Sequence, residues 1–172
     1  MPEPKYSEKI ATFSPDRRYR YSLYRAWDDA EDWEKKVLFV MLNPSTADEN
    51  VLDPTVRRCV GYAQDWGFKR IEIANIFALR STDPKMLYSV EDPVGPDNDQ
   101  AIMRMVASSD LVIAAWGTHG AYRSRGQQVA NDIAFFKDVQ CLGRSNGGFP
   151  LHPLYLRKDL KPILFQKEGV VL

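Results

Sequence analysis

Four apolar runs, Val37–Leu42, Ile71–Phe77, Leu111–Ala115 and Val139–Leu142, alternate along the chain with segments of helical periodicity. This alternation restricts the fold to strands joined by right-handed helical crossovers, which deliver a mainly parallel sheet with helices packed on it. Val37–Leu42 is apolar at every position, the pattern of a strand buried on both faces. Asp53-Pro54 then supplies a capping carboxylate and a first-turn proline. Val56, Cys59, Val60 and Ala63 follow at helical spacing, and Gly67 ends the segment. Asn98 or Asp99 caps a second helix carrying Ile102, Met105 and Val106, and Gln127–Phe136 forms a third. Arg20–Trp27 loosely alternates aromatic or apolar with polar residues, which suits an antiparallel or edge strand. The expected fold is a three-layer α/β/α sandwich with a mainly parallel four-stranded central sheet plus an N-terminal edge strand. It occupies a single domain, 1–172, with a loose tail over 1–12.

The chain's 172 residues, 44% hydrophobic and 27% charged, suffice for one such core. No apolar stretch is long enough to span a membrane, and Met1 to Lys9 lacks the apolar centre of a signal peptide, so a cytoplasmic protein is expected. Cys59 and Cys141 read as small, reduced core residues. With 23 basic and 23 acidic residues there is no global field for a polyanion. Local asymmetry exists, because residues 117–161 carry seven cations against three carboxylates. A basic face of that kind can hold phosphates on a neutral protein, although solvated surface charge is the simpler account of most of these residues.

Short polar motifs close the apolar runs: Asn43-Pro44-Ser45-Thr46, Asn75, Trp116-Gly117, Gly143 and, beyond it, His152-Pro153. Parallel strands send their C-terminal ends to one sheet edge, where open α/β sheets bind ligands. Each residue also has a purely structural account. Asn43 before proline shapes turns, Asn75 in an apolar strand needs a hydrogen-bonded amide wherever it sits, and Trp116 buries enough area to be core. His152 can be a satisfied buried histidine, and His119 a loop or cap residue. Asp53, Arg57 and Arg58 read as a helix start with surface cations. Two histidines and two cysteines lack metal-ligand spacing, and there is no G-x-S-x-G elbow, so zinc and serine hydrolases find no support and no metal or cofactor is expected.

The segments Leu42-Asn43-Pro44-Ser45-Thr46-Ala47-Asp48, Asp53-Pro54-Thr55, Asn75-Ile76-Phe77-Ala78, Trp116-Gly117 and His152-Pro153-Leu154-Tyr155-Leu156 resemble domain of unknown function family 1643. More distantly, the order of Asn43-Pro44, Asn75, Leu111–Gly117 and His152-Pro153 is similar to that in the uracil-DNA glycosylase superfamily. That resemblance implies a water-orienting Asn43, a base-reading Asn75 and a His152 that stabilises the departing base. Such chemistry requires a hydrogen-bond donor at the developing base anion and an amide at the base edge. Pro44, Ser45, Trp116 and Gly117 would line the ligand site, and Leu154 or Tyr155 would wedge into a duplex while the base is flipped. Met41 stands where the superfamily usually has glycine.

The expected function is therefore a glycosylase-like nucleobase-binding protein, hydrolysing an N-glycosidic bond in DNA or a nucleotide. Arg123, Arg125, Arg144, Arg157 and Lys158 are the expected nucleic-acid contacts, beside Leu154 and Tyr155. The alternatives are a non-catalytic sensor of a modified base or nucleotide and a hydrolase of a small free nucleoside derivative. No oligomeric state follows from the sequence.

Overall fold

The computed structural model describes residues 2–51 and 53–172. Seven strands form one mixed sheet in the order β1-β2-β4-β3-β5-β6-β7. These are β1 Tyr6–Phe13, β2 Arg20–Trp27, β3 Lys36–Met41, β4 Arg70–Asn75, β5 Leu111–Ala114, β6 Val139–Cys141 and β7 Ile163–Gln166. The helices are α1 Pro54–Asp65, α2 Asn98–Ala107 and α3 Arg125–Ala134.

The expected mainly parallel four-stranded sheet is thus corrected. The four apolar runs do pair in parallel, β4 with β3, β3 with β5 and β5 with β6. Three antiparallel pairings extend them, β1 with β2, β2 with β4 and β6 with β7. The N-terminal edge is β1, all but Phe13 of which lies in the segment 1–12 expected to be a loose tail, and Arg20–Trp27 lies one strand inward, flanked by β1 and β4. The reason is the weakness of the edge signal. β1 exposes most of its residues, and β7 leaves Ile163 and Leu164 about half exposed, so neither carries the apolar periodicity that burial imposes.

Strand period divides the core. Val37, Phe39 and Met41 of β3 pack with Ile71, Ile73 and Ile113 against the Val56, Cys59, Val60 and Ala63 face of α1. Leu38 and Val40 point the other way, with Val112 and Ala114, toward Ile102, Met105 and Val106 of α2 and Val129 and Ile133 of α3. Burial of each such large apolar side chain contributes about 1.5–3 kcal/mol. Both cysteines are free and buried, Cys59 in the α1 layer.

The helix boundaries follow local chemistry. Asp53 caps α1, its side chain accepting from Val56 N at 2.8 Å, with Pro54 in the first turn. Trp66 and then Gly67, at φ +82°, close it. Asp97 occupies the N-cap of α2 in place of the expected Asn98 or Asp99. Asn98 is fully buried instead, donating from Nδ2 to Asn75 O at 2.8 Å and Ile76 O at 3.3 Å, and so serves the loop after β4. α3 starts at Arg125, two residues earlier than expected. Among the described residues no helix is long and apolar enough to cross a membrane.

Candidate functional site

The connections β3-α1-β4 and β5-α3-β6 leave in opposite directions from the adjacent strands β3 and β5, so the sheet has its topological switch point between them. In open α/β sheets, ligands sit outside the strand ends at that point. A cleft of about 450 Å³ lies there, within the usual size range of ligand pockets. It is lined by Asn43, Pro44 and Ser45 after β3, Asn75 at the end of β4, Trp116 and Gly117 after β5, and His152 beyond β6. The structure therefore brings together all seven residues that the sequence placed in the catalytic and ligand-binding set.

Long-range hydrogen bonds assemble these walls. Ile76 N and Phe77 N donate to Met41 O and Leu42 O, prolonging the β3–β4 pairing, and Ser81 N reaches Pro44 O at 2.9 Å. The loop after β6 folds back through Leu151 N to Gly143 O, and Gly117 N donates to Pro150 O at 2.9 Å. His152 is thereby carried beside Gly117, where a Cβ built on the glycine would meet His152 Cβ at 3.9 Å. Gly117 adopts φ +70°, a conformation that side-chain-bearing residues rarely take.

The polar groups are individually constrained. Asn43 Nδ2 donates to Ser81 O at 2.9 Å and Pro44 O at 3.1 Å, while its Oδ1 accepts nothing from the described residues. Asn75 is the reverse. Its Oδ1 accepts from Arg20 Nη2 at 3.3 Å, and its Nδ2 has no partner among the described residues. His152 Nδ1 accepts from Leu154 N at 3.3 Å. Burial pushes the imidazole below its usual pKa, an effect that Asp53 opposes. The neutral ring, with Nδ1 used as an acceptor, must carry its proton on Nε2. The cleft thus presents an uncommitted acceptor on Asn43 and uncommitted donors on Asn75 and His152.

Trp116 is core as well as wall. It is 3% exposed, and a Cβ on Gly120 or Gly126 would approach its ring to 2.1 or 2.5 Å. Only hydrogen in place of a side chain lets both backbones close on the indole.

The cleft also has polar residues that were not in the expected site. Arg20 and Asp53 line the cleft with Thr55 and His119, whose Nδ1 is 2.8 Å from Tyr88 Oη. Asp53 and His119 have local roles that account for them in sequence. Arg20 has no local signal at all. It reaches the cleft because β2 runs antiparallel to β4, so its first residue lies at the edge where the parallel strands end.

The expected nucleic-acid contacts scatter. Arg125 is corrected outright: it is 3% exposed, donating from Nε to Ile76 O at 2.8 Å and from Nη2 to Asp99 at 2.5 Å, so it holds the fold together. Arg123 is exposed with Nη1 3.2 Å from Glu91 O, and Arg144 bonds Phe165 O. Arg157 forms a local pair with Asp159. Leu154 is half-buried, whereas Tyr155 is 94% exposed at φ +70°. Lys158 lines a separate groove of about 230 Å³ with Arg57, Arg58 and Tyr62, along α1.

The family model described as protein of unknown function, DUF1643, matches residues 20–154. The chain belongs to the DUF1643 family. That span takes the DUF1643 chain from Arg20 in β2 to Leu154 beyond the cleft, and so includes every cleft-lining residue named above. No curated protein matches it. No solved structure matches it either, so the glycosylase-like fold expected from motif order gains no structural counterpart.

Proposed function

We propose that the DUF1643 cleft binds a nucleobase attached to its sugar and hydrolyses the N-glycosidic bond. Asn43 Oδ1 accepts a hydrogen bond from the attacking water. Asn75 Nδ2 donates to a carbonyl oxygen of the base, and His152 Nε2–H donates to the base as it departs. The water oxygen bonds to the anomeric carbon as the carbon–nitrogen bond breaks. The electron pair of that bond leaves with the base, and the water's proton passes to bulk solvent. Asp53 adds negative charge to the cleft in which the sugar becomes electron-poor. The observation that carries this reading is the convergence of one free acceptor and two free donors on a single cleft at the switch point.

A non-catalytic sensor is the second reading, favoured by the two backbone carbonyls that hold Asn43 Nδ2 as they would hold a turn residue. Base release from single- and double-stranded oligonucleotides carrying uracil, hypoxanthine or a modified pyrimidine separates the two, with abasic sites read by alkaline cleavage. The hydrolytic reading expects release under single-turnover conditions, reduced about a hundredfold or more by Asn43→Ala and by His152→Ala. Tight binding with no release by the wild-type protein establishes the sensor instead.

A further inference from the structure

Recognition of a neutral base uses Arg20 only indirectly, through its hydrogen bond to Asn75. Its side chain is 2% exposed and lines the cleft. Nη1 donates to Ala47 O at 2.7 Å and Nη2 to Asn75 Oδ1 at 3.3 Å, while Nε has no partner among the described residues. Two other buried cations find carboxylates: Lys36 Nζ is 2.6 Å from Glu72, and Arg125 Nη2 is 2.5 Å from Asp99. Arg20 forms no ion pair among the described residues. Burial pushes its pKa down to about 10, an effect that Asp53 on the same cleft wall opposes without forming an ion pair, and the guanidinium stays charged at neutral pH. Arg25 provides the contrast. It too has no carboxylate partner, donating only to the backbone carbonyls of Tyr24 and Asp48, yet it is not part of the cleft wall. Arg25 also leaves Nε without a partner among the described residues, so what sets Arg20 apart is that its unpartnered guanidinium lines the cleft.

A desolvated guanidinium without an ion-pair partner is costly, and an incoming anion offsets that cost while its oxygens accept the remaining N–H groups. We propose that Arg20 is the binding site for a phosphate of the ligand, so that the cleft selects a phosphorylated nucleotide over a free base or neutral nucleoside. This rests on the nucleobase reading for the remainder of the ligand. The phosphate has two sources, the monoester of a free nucleotide and the phosphodiester of a strand.

Calorimetric titration of the full chain tests this with uridine, uridine monophosphate, inorganic phosphate and a short single strand of uridine-containing DNA lacking terminal phosphates. Uridine monophosphate or the strand is expected to bind about ten- to a hundredfold more tightly than uridine, the worth of one charge-assisted contact. Preference for the monophosphate assigns the free nucleotide, and preference for the strand assigns the polymer. Arg20→Met should abolish the preference and Arg25→Met should keep it. In the wild-type protein the Arg20 Nε–H resonance should move with the phosphorylated ligand and not with uridine, a readout that stands even if Arg20→Met does not fold. Equal affinities for uridine and both phosphorylated probes, or a preference that survives Arg20→Met, overturn the proposal and leave the nucleobase reading intact. Inorganic phosphate that moves the Arg20 resonance while no uridine-containing probe binds sustains the anion site and overturns the nucleobase reading. Absence of all binding overturns both.

Discussion

Arg20 Nη2 donates to Asn75 Oδ1 across 3.3 Å, joining the first residue of β2 to the last residue of β4. The contact turns the Asn75 amide so that Nδ2 is the atom left for a ligand. Asn75→Ala should destabilise the protein by about 1–3 kcal/mol, because a buried donor of Arg20 loses its acceptor. Asn75→Asp restores an acceptor and should recover that stability in urea denaturation. It should not recover affinity for a nucleotide, since it offers a ligand carbonyl no donor.

His152 makes the cleft sensitive to mild acid. Its folded-state pKa is lowered by burial, so between the folded value and the unfolded value near 6.5 the unfolded chain binds more protons. The stability associated with the neutral ring is therefore present above the unfolded pKa and lost as pH falls through the folded one. The difference in unfolding free energy between neutral pH and pH 5 should be smaller in His152→Gln than in the wild type. An NMR titration of the His152 ring should give a midpoint below 6.5, and a midpoint above it removes the basis for a neutral donor.

Gly120 and Gly126 set the position of Trp116. A methyl group on Gly120 would lie 2.1 Å from the indole, so the ring or the backbone must move. Gly120→Ala should cost about 1–3 kcal/mol, the usual range for overpacking. It should also shift Trp116 emission and reshape the cleft wall. Unchanged stability and fluorescence together would mean that Trp116 has room the packing does not provide.

Two cations assigned to nucleic acid by sequence should part company. Lys158 lines an exposed groove with Arg57 and Arg58, so Lys158→Ala or Arg57→Ala should weaken oligonucleotide binding at low salt and flatten its salt dependence, with folding intact. Arg125→Ala should instead lower stability by about 1–3 kcal/mol, because it strips a buried hydrogen bond to Ile76 O and the pair with Asp99. Identical effects of the two substitutions on stability would contradict their different burial.

The four central strands and three helices were legible because each carries a periodic signal of its own: β3 is apolar on both faces, and α1 has its cap, its proline and its closing glycine. The ends of those strands then named Asn43, Asn75, Trp116 and His152, since parallel connectivity alone sends them to one edge. Strands β1 and β7 bury little and left no such mark. Tertiary structure alone decided where the cations went. Antiparallel pairing carried Arg20 into the cleft from the far end of the adjacent strand, and packing of α3 drew Arg125 into the core. Local periodicity reports how a segment buries itself, whereas the partner of a long charged side chain depends on which distant carbonyls and carboxylates the completed fold sets within its reach.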